Sequence, residues 1–280
     1  VKSKFFGVIE GFYRRPYSFS QRCDLVQFLN RIGLNTYVYG PKSDPYHRKE
    51  YHKPYPKEKL KEFEFLKNLA IKNKIIFNYA LSPGSKPDLN LIIKKLSQFI
   101  DIGISNFSLF FDDIKILMNS QTAQMQAEIG NSVLQFLHKK VANPTLFFCP
   151  TQYRGFDRTE YLLKIAEKLN PDIFIFWTGK SVISKRITVK DVEKIKDILG
   201  RKMLIWDNIF ANDYIPGVIL RFPYHYREPG IIEKVSGILL NPMNQYEKSK
   251  PLISTAAKFF KDPYNYVPRK AWQEVSKRFS

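Results

Sequence analysis

Cysteine is almost absent from this 280-residue chain. Cys23 and Cys149 alone cannot make a disulfide framework, so stability has to come from packing, and a reducing compartment is permitted. His47, His52, His138 and His225 show no paired ligand spacing, which argues against structural or catalytic zinc. No run approaches the ~18 continuous apolar residues of a membrane span, and VKSKFFGVIEGFY at the start has no apolar stretch of signal-peptide length. A soluble chain follows, with a cytoplasmic location favoured. Phosphate-loop and nucleophile-elbow motifs are missing as well.

Acid is in deficit. Lys and Arg number 45 against 26 Asp and Glu, a formal net charge of +19. Such a surface could attract nucleic acid, anionic lipid or an acidic polysaccharide. The lysines, however, alternate with apolar residues in segments such as KEKLKEFEFLKNLAIKNK, the pattern of solvated helix faces. No basic block carries the interleaved aromatics of a nucleic-acid module, so no nucleic-acid partner is expected.

What the chain does have is a recurring pattern. Eight runs rich in aromatic and β-branched residues read as strands: FFGVIE ending at Glu10, TYVYG at Gly40, IIFNYALS at Ser82, FSLFFDD at Asp113, TLFFCPT at Thr151, IFIFWTG at Gly179, MLIWDN at Asn208 and GILLNP at Pro242. Nearly continuous apolar character means both faces are covered, as in parallel strands under helices. Between them, Leu60, Phe63, Leu66 and Ala70, then Leu162, Ile165, Ala166 and Leu169, recur at helical spacing with one buried stripe. Eight strand and helix units in about 250 residues predict an α/β fold, a single-domain (β/α)₈ TIM barrel over residues 1–280. A doubly wound open sheet is the competitor. The turn-rich PYNYVPRKAW stretch is expected to close the barrel's bottom or side from about Asp262.

Polar residues concentrate where a barrel places its active site, at the carboxyl ends of the strands. Asp112 and Asp113 follow strand four. Trp206, Asp207 and Asn208 end strand seven, with Asp213 and Tyr214 just beyond; Lys42 follows strand two, Tyr153 strand five, and Asn241 lies in strand eight. A single aspartate after a strand is commonly a helix cap. Two in succession behind FSLFF face mutual repulsion and desolvation, which should raise the proton affinity of one and suit it to act as an acid. A pair of enzymic carboxylates that flank a glycosidic bond needs ~5 Å or more between them, whereas neighbouring α-carbons are only ~3.8 Å apart. Adjacent acids therefore fit the substrate-assisted route, in which the sugar's own 2-acetamido oxygen attacks the anomeric carbon.

The motifs IEGFY, NTYVYGPK, DPYHR, LFFDDI, FFCPTQY, WTG, IWDNIFANDY and LLNPMN, in this order, resemble glycoside hydrolase family 84, from about Phe5 to Trp272. The resemblance implies a retaining exo-β-N-acetylglucosaminidase that removes N-acetylglucosamine from serine or threonine of proteins through an oxazoline intermediate, with no metal and no organic cofactor. Its expected partner is a glycoprotein or glycan bearing terminal β-N-acetylglucosamine. By the same resemblance Asp112 holds the acetamide nitrogen and Asp113 is general acid and then base. Gly11 and Lys42 meet the 3-hydroxyl, Asp213 and Asn241 hold the 4- and 6-hydroxyls, and Asn208 positions Asp112 and the ring. Tyr153, Trp206, Thr178, Val182 and Cys149 form the acetamide pocket, and Tyr214 its rim. Trp206 and Cys149 could equally be core residues, and Lys42 a solvated loop lysine. Hydrolysis of an acidic glycan such as hyaluronan, or sugar binding without catalysis, are the alternative functions.

The family pattern is broken at Arg14 and Tyr17, where glycine and tryptophan are usual, and at Gly40 and Ser43 in YGPKSD. Arg14 is expected to add bulk and charge beside the sugar contact at Gly11. Members often carry a preceding α/β domain and a following helical region in addition to the barrel stretch.

Overall fold

The computed structural model describes residues 4–279; the outermost positions of the expected 1–280 domain lie outside them. Eight parallel strands form a closed barrel in sequence order: β1 Phe5–Glu10, β2 Thr36–Tyr39, β3 Ile76–Leu81, β4 Asn106–Phe110, β5 Thr145–Cys149, β6 Phe174–Trp177, β7 Leu204–Asp207 and β8 Gly237–Leu240. Closure of β8 onto β1 pairs Phe5 with Gly237 and Val8 with Leu240, so the open-sheet alternative is set aside. A helix follows each strand: α1 Phe19–Arg31, α2 Lys57–Lys72, α3 Leu89–Asp101, α4 Ser120–Lys140, α5 Glu160–Lys168, α6 Val189–Leu199, α7 Ile231–Lys234 and α8 Tyr246–Lys261.

Local chemistry sets these boundaries. Ser18 and Gln21 make a capping box at the start of α1, and Thr188 and Asp191 make another at α6, each satisfying two backbone donors that a helix start leaves open. Gly200 ends α6 in the left-handed conformation at φ 68°, which costs glycine nothing. The closing segment differs from expectation. Only its first part is turn; from Pro268 to Ser276 it is helix α9, packed on α8, because Pro268 sits at the first helical position where its missing N–H is no loss.

Period-two alternation sorts the core into two. Phe5, Ile9, Val38, Ala80, Phe110, Phe147, Phe176, Leu204, Trp206 and Leu239 fill the barrel's interior, while Val8, Tyr37, Phe107, Leu109, Ile205 and Ile238 face the helices. Gly7 and Gly237 stand where a Cβ would lie 1.8 Å from Thr36 O and 2.0 Å from Phe5 O, so the β1–β2 pairing and the β8–β1 closure each require glycine there.

Candidate active site

The inward set predicts the site. One inward step beyond Ile9, Gly40, Phe110, Phe176, Trp206 and Leu239 come Gly11, Lys42, Asp112, Thr178, Asn208 and Asn241, and all six line one cavity of about 660 Å³ at the carboxyl end of the barrel. Seven of the eight strand runs read from sequence extend one to three residues past the ordered strands, and of those extra residues Asp112, Asp113, Thr178, Asn208 and Asn241 line the cavity.

Asp112 is buried and its Oδ2 is ion-paired with Lys42 Nζ. Lys42 is itself buried, with its ammonium 5.2 Å from the Phe110 ring centre and 5.4 Å from that of Trp206, a cation between aromatic faces. The solvated-lysine reading is therefore excluded. Asp112 Oδ1 and Trp206 Nε1 are buried with no hydrogen-bond partner among the described residues. One acceptor and one donor thus remain unmatched on the wall of the same cavity, and such groups are costly unless a ligand or solvent meets them.

Asp113 is held differently. An unbroken strand would send residues 112 and 113 to opposite faces, but β4 ends at Phe110 and Asp113 adopts φ 52°, so both carboxylates reach the cavity. Tyr153 donates its hydroxyl to Asp113 Oδ1 at 2.8 Å, and Tyr13 donates to Oδ2 at 2.9 Å. Arg48 donates to the Tyr13 hydroxyl and to the Asp113 carbonyl, each at 2.9 Å. Burial pushes the Asp113 carboxyl up, but the Lys42 charge, the two tyrosine hydrogen bonds and the Arg48 charge outweigh it and hold it below the usual carboxylate value. At Asp113 this departs from the expected upward shift: two cations and two hydroxyl donors outweigh desolvation there.

The remaining walls come from four loops. Asn208 donates to Val182 O at 2.7 Å and accepts from Asn241 at 2.9 Å, so its bonds tie two neighbouring loops together and the expected contact to Asp112 is not among them. Asn241 Oδ1 accepts the Gly11 N–H at 3.2 Å. A Cβ on Gly11 would stand 2.2 Å from Trp206 Cζ2, so the indole lies flat against that backbone. Asp213 Oδ2 accepts the Tyr13 N–H at 2.8 Å. Cys149 and Trp206 belong to the interior cluster and also line the cavity, so core and site are not alternatives for them; burial raises the Cys149 thiol well above its ordinary value, leaving it unreactive. Val182 and Tyr214 sit exposed at the rim.

Asp207, which looked chemically capable in sequence, faces outward. Its carboxylate takes Arg227 through Nε at 2.8 Å and Nη2 at 2.6 Å, and the Tyr224 hydroxyl at 2.8 Å. Arg227 also donates to Ser184 O and Lys185 O, fastening the loop that carries Val182. Arg14 takes φ 74° and donates through Nε to Asp213 O at 2.5 Å, so its charge lies along the rim; the left-handed backbone explains why glycine suits the position. Tyr17 is buried, with its hydroxyl donating to Met243 O and its N–H to Glu10. It anchors the loop from beneath. Tyr13 and Arg48 were missed as site residues, although both sit in the EGFY and DPYHR motifs just past strands.

A closed (β/α)₈ barrel whose mouth carries two adjacent carboxylates, one paired with a buried lysine, is an arrangement that glycoside hydrolases use. The model of the beta-N-acetylglucosaminidase family matches residues 6–280, and the chain belongs to that family. It is 36% identical to the protein O-GlcNAcases of Rattus norvegicus and of Mus musculus over 280 residues, which cover 93% of this chain and 30% of each relative. An aspartate-to-asparagine mutant of the O-GlcNAc hydrolase of Thermobaculum terrenum superposes with a TM-score of 0.94 at 32% identity, covering 99% of this chain and 63% of that one. The chain thus spans about a third of the length of the curated relatives it matches. Among the described residues no group of three or more His, Cys, Asp and Glu could hold a metal ion, and no helix is long and apolar enough to cross a membrane.

Proposed function

We propose that this chain removes terminal β-linked N-acetylglucosamine from serine or threonine of proteins, with retention, through an oxazoline intermediate. One observation carries the reading: two neighbouring carboxylates share one cavity wall, one dry and lysine-paired, the other at the mouth between two tyrosines.

The pair divides the work by environment. Asp112 Oδ1, buried without a partner, accepts the N–H of the 2-acetamido group and turns its carbonyl oxygen toward the anomeric carbon. As that oxygen bonds to C1, the bond from C1 to the leaving oxygen breaks and Asp113 gives its proton to the departing hydroxyl. The positive charge spread over the acetamide is met by Asp112, in a site where Trp206, Tyr153 and Cys149 exclude water. Water then adds to C1, its proton passes to Asp113 and the bond to the acetamide oxygen opens. Two inversions give retention.

Proton supply is compatible with the low affinity of the free Asp113. A bound leaving group covers that carboxyl and adds desolvation, the influence that already pushes it up. The ionised form left after the first step is the base the second step needs. In this reading Asn241, Asp213, Lys42 and the backbone at Gly11 meet ring hydroxyls, the Gly11 N–H being already committed to Asn241.

Replacing Asp113 with Ala tests the assignment. Hydrolysis of N-acetylglucosaminides with poor leaving groups falls by roughly 10²–10⁴-fold, whereas activated aryl glycosides, which need no proton, lose far less; a thiazoline mimic of the intermediate inhibits. Equal loss on both substrate types would refute the acid role.

A further inference from the structure

Asp113 and Tyr153 belong to two hollows at once. One is the sugar cavity; the other, about 390 Å³, continues from Asp113 along the loops that follow β4, β5 and β6. A group that protonates a leaving oxygen stands between the sugar and what leaves, so this second hollow receives the leaving group. This step rests on the function proposed above.

The lining of the hollow selects among leaving groups. Its free wall is aliphatic, made by Ile114, Ile116 and Met118, with Tyr153 as its aromatic member shared with the sugar site. Polysaccharide sites stack sugar rings on aromatic faces, whereas branched aliphatic walls suit the side chains of a peptide. Three charged residues line it besides Asp113. Lys180 is ion-paired with Asp191 at 3.2 Å. Asp157 stands beyond the turn at Gly155 and forms no ion pair with Arg154. Arg154 is exposed and makes no hydrogen bond or ion pair among the described residues. Arg154 and Asp157 are thus the hollow's two uncommitted charges, and of the two Arg154 is the cation, a planar donor suited to a carboxylate or phosphate. It acts within the field of a chain of net charge +19.

We propose that this hollow is the leaving-group subsite and that Arg154 reads an acidic side chain near the glycosylated residue, making acidic glycopeptides the preferred substrates. Short O-linked N-acetylglucosamine peptides test it, with one aspartate walked through three positions on either side of the modified serine and asparagine as the neutral control. At the best position the aspartate peptide gains about two- to fivefold in kcat/KM at low salt, the range of an exposed ion pair. Arg154→Ala brings that ratio to near one. Arg158→Ala, on the same loop but outside the hollow, keeps it, which separates a local reader from the general positive field. The inference is overturned if the wild-type ratio is near one at every position, if Arg154→Ala leaves the ratio unchanged, or if a glucuronate-linked N-acetylglucosamine oligosaccharide is cleaved faster than every peptide. Hydrolysis of a chromogenic aryl N-acetylglucosaminide by the same preparation marks these as failures of the subsite alone; inertness toward it overturns the hydrolase reading and the subsite with it.

Discussion

Replacing Lys42 with Met probes the ion pair on which the sugar cavity is built. The side chains of Lys42 and Asp112 are 1% and 7% exposed, so removing the cation strands a carboxylate that already has one oxygen without a partner. Breaking a buried pair from one side costs about 3–5 kcal/mol, because the remaining charge loses its attraction but keeps its desolvation cost. At ~2 °C per kcal/mol for a chain of this size, the melting temperature falls by roughly 6–10 °C. The Lys42 charge also heads the influences that lower the Asp113 carboxyl; without it Asp113 holds its proton to higher pH, and the alkaline limb of the activity profile moves up. The double variant Lys42→Met with Asp112→Asn removes both charges and melts above Lys42→Met alone, a coupling that a double-mutant cycle followed by calorimetry measures directly. The argument is refuted if Lys42→Met melts within about 1 °C of the parent, or if the two substitutions simply add.

Gly11→Ala places a methyl 2.2 Å from the Trp206 ring, so the cavity wall that the two residues share must shift; inhibition by the thiazoline mimic weakens at least about tenfold, some 1.4 kcal/mol, and an unchanged inhibition constant would contradict the geometry. His47 is buried, and burial first, then the Lys42 charge, lowers it to about 3. The unfolded chain therefore takes up a proton that the folded one refuses, and stability drops as pH falls from about 6.5 toward 3, by up to about 1.4 kcal/mol per pH unit. In His47→Gln the gap between urea midpoints at pH 7 and pH 4 narrows; an equal gap in both proteins would assign the acid sensitivity to other groups.

Much of this protein was legible in its residues. Eight apolar runs with helical stripes between them gave the barrel, since a strand covered on both faces and a helix covered on one have different periods. The family motifs gave the members of the cavity, because a barrel collects whatever follows its strands. Asp207 shows the limit: it sits beside Trp206 and Asn208 in the same motif, yet it points outward to Arg227. Which neighbour faces the cavity depends on where a strand stops, and runs extended past their true ends blur that parity. Tyr13 and Arg48 escaped for a related reason, since their partners lie in other loops.

The amino-acid order alone settled the architecture and which side chains gather at the mouth, because hydrophobic period and chain direction are local properties. Only the tertiary structure decided how the two acids differ. The left-handed turn at Asp113, the lysine reaching Asp112 from strand two and the tyrosines arriving from strands one and five are long-range contacts, and proton affinity follows the charges and donors nearby in space rather than those adjacent in sequence.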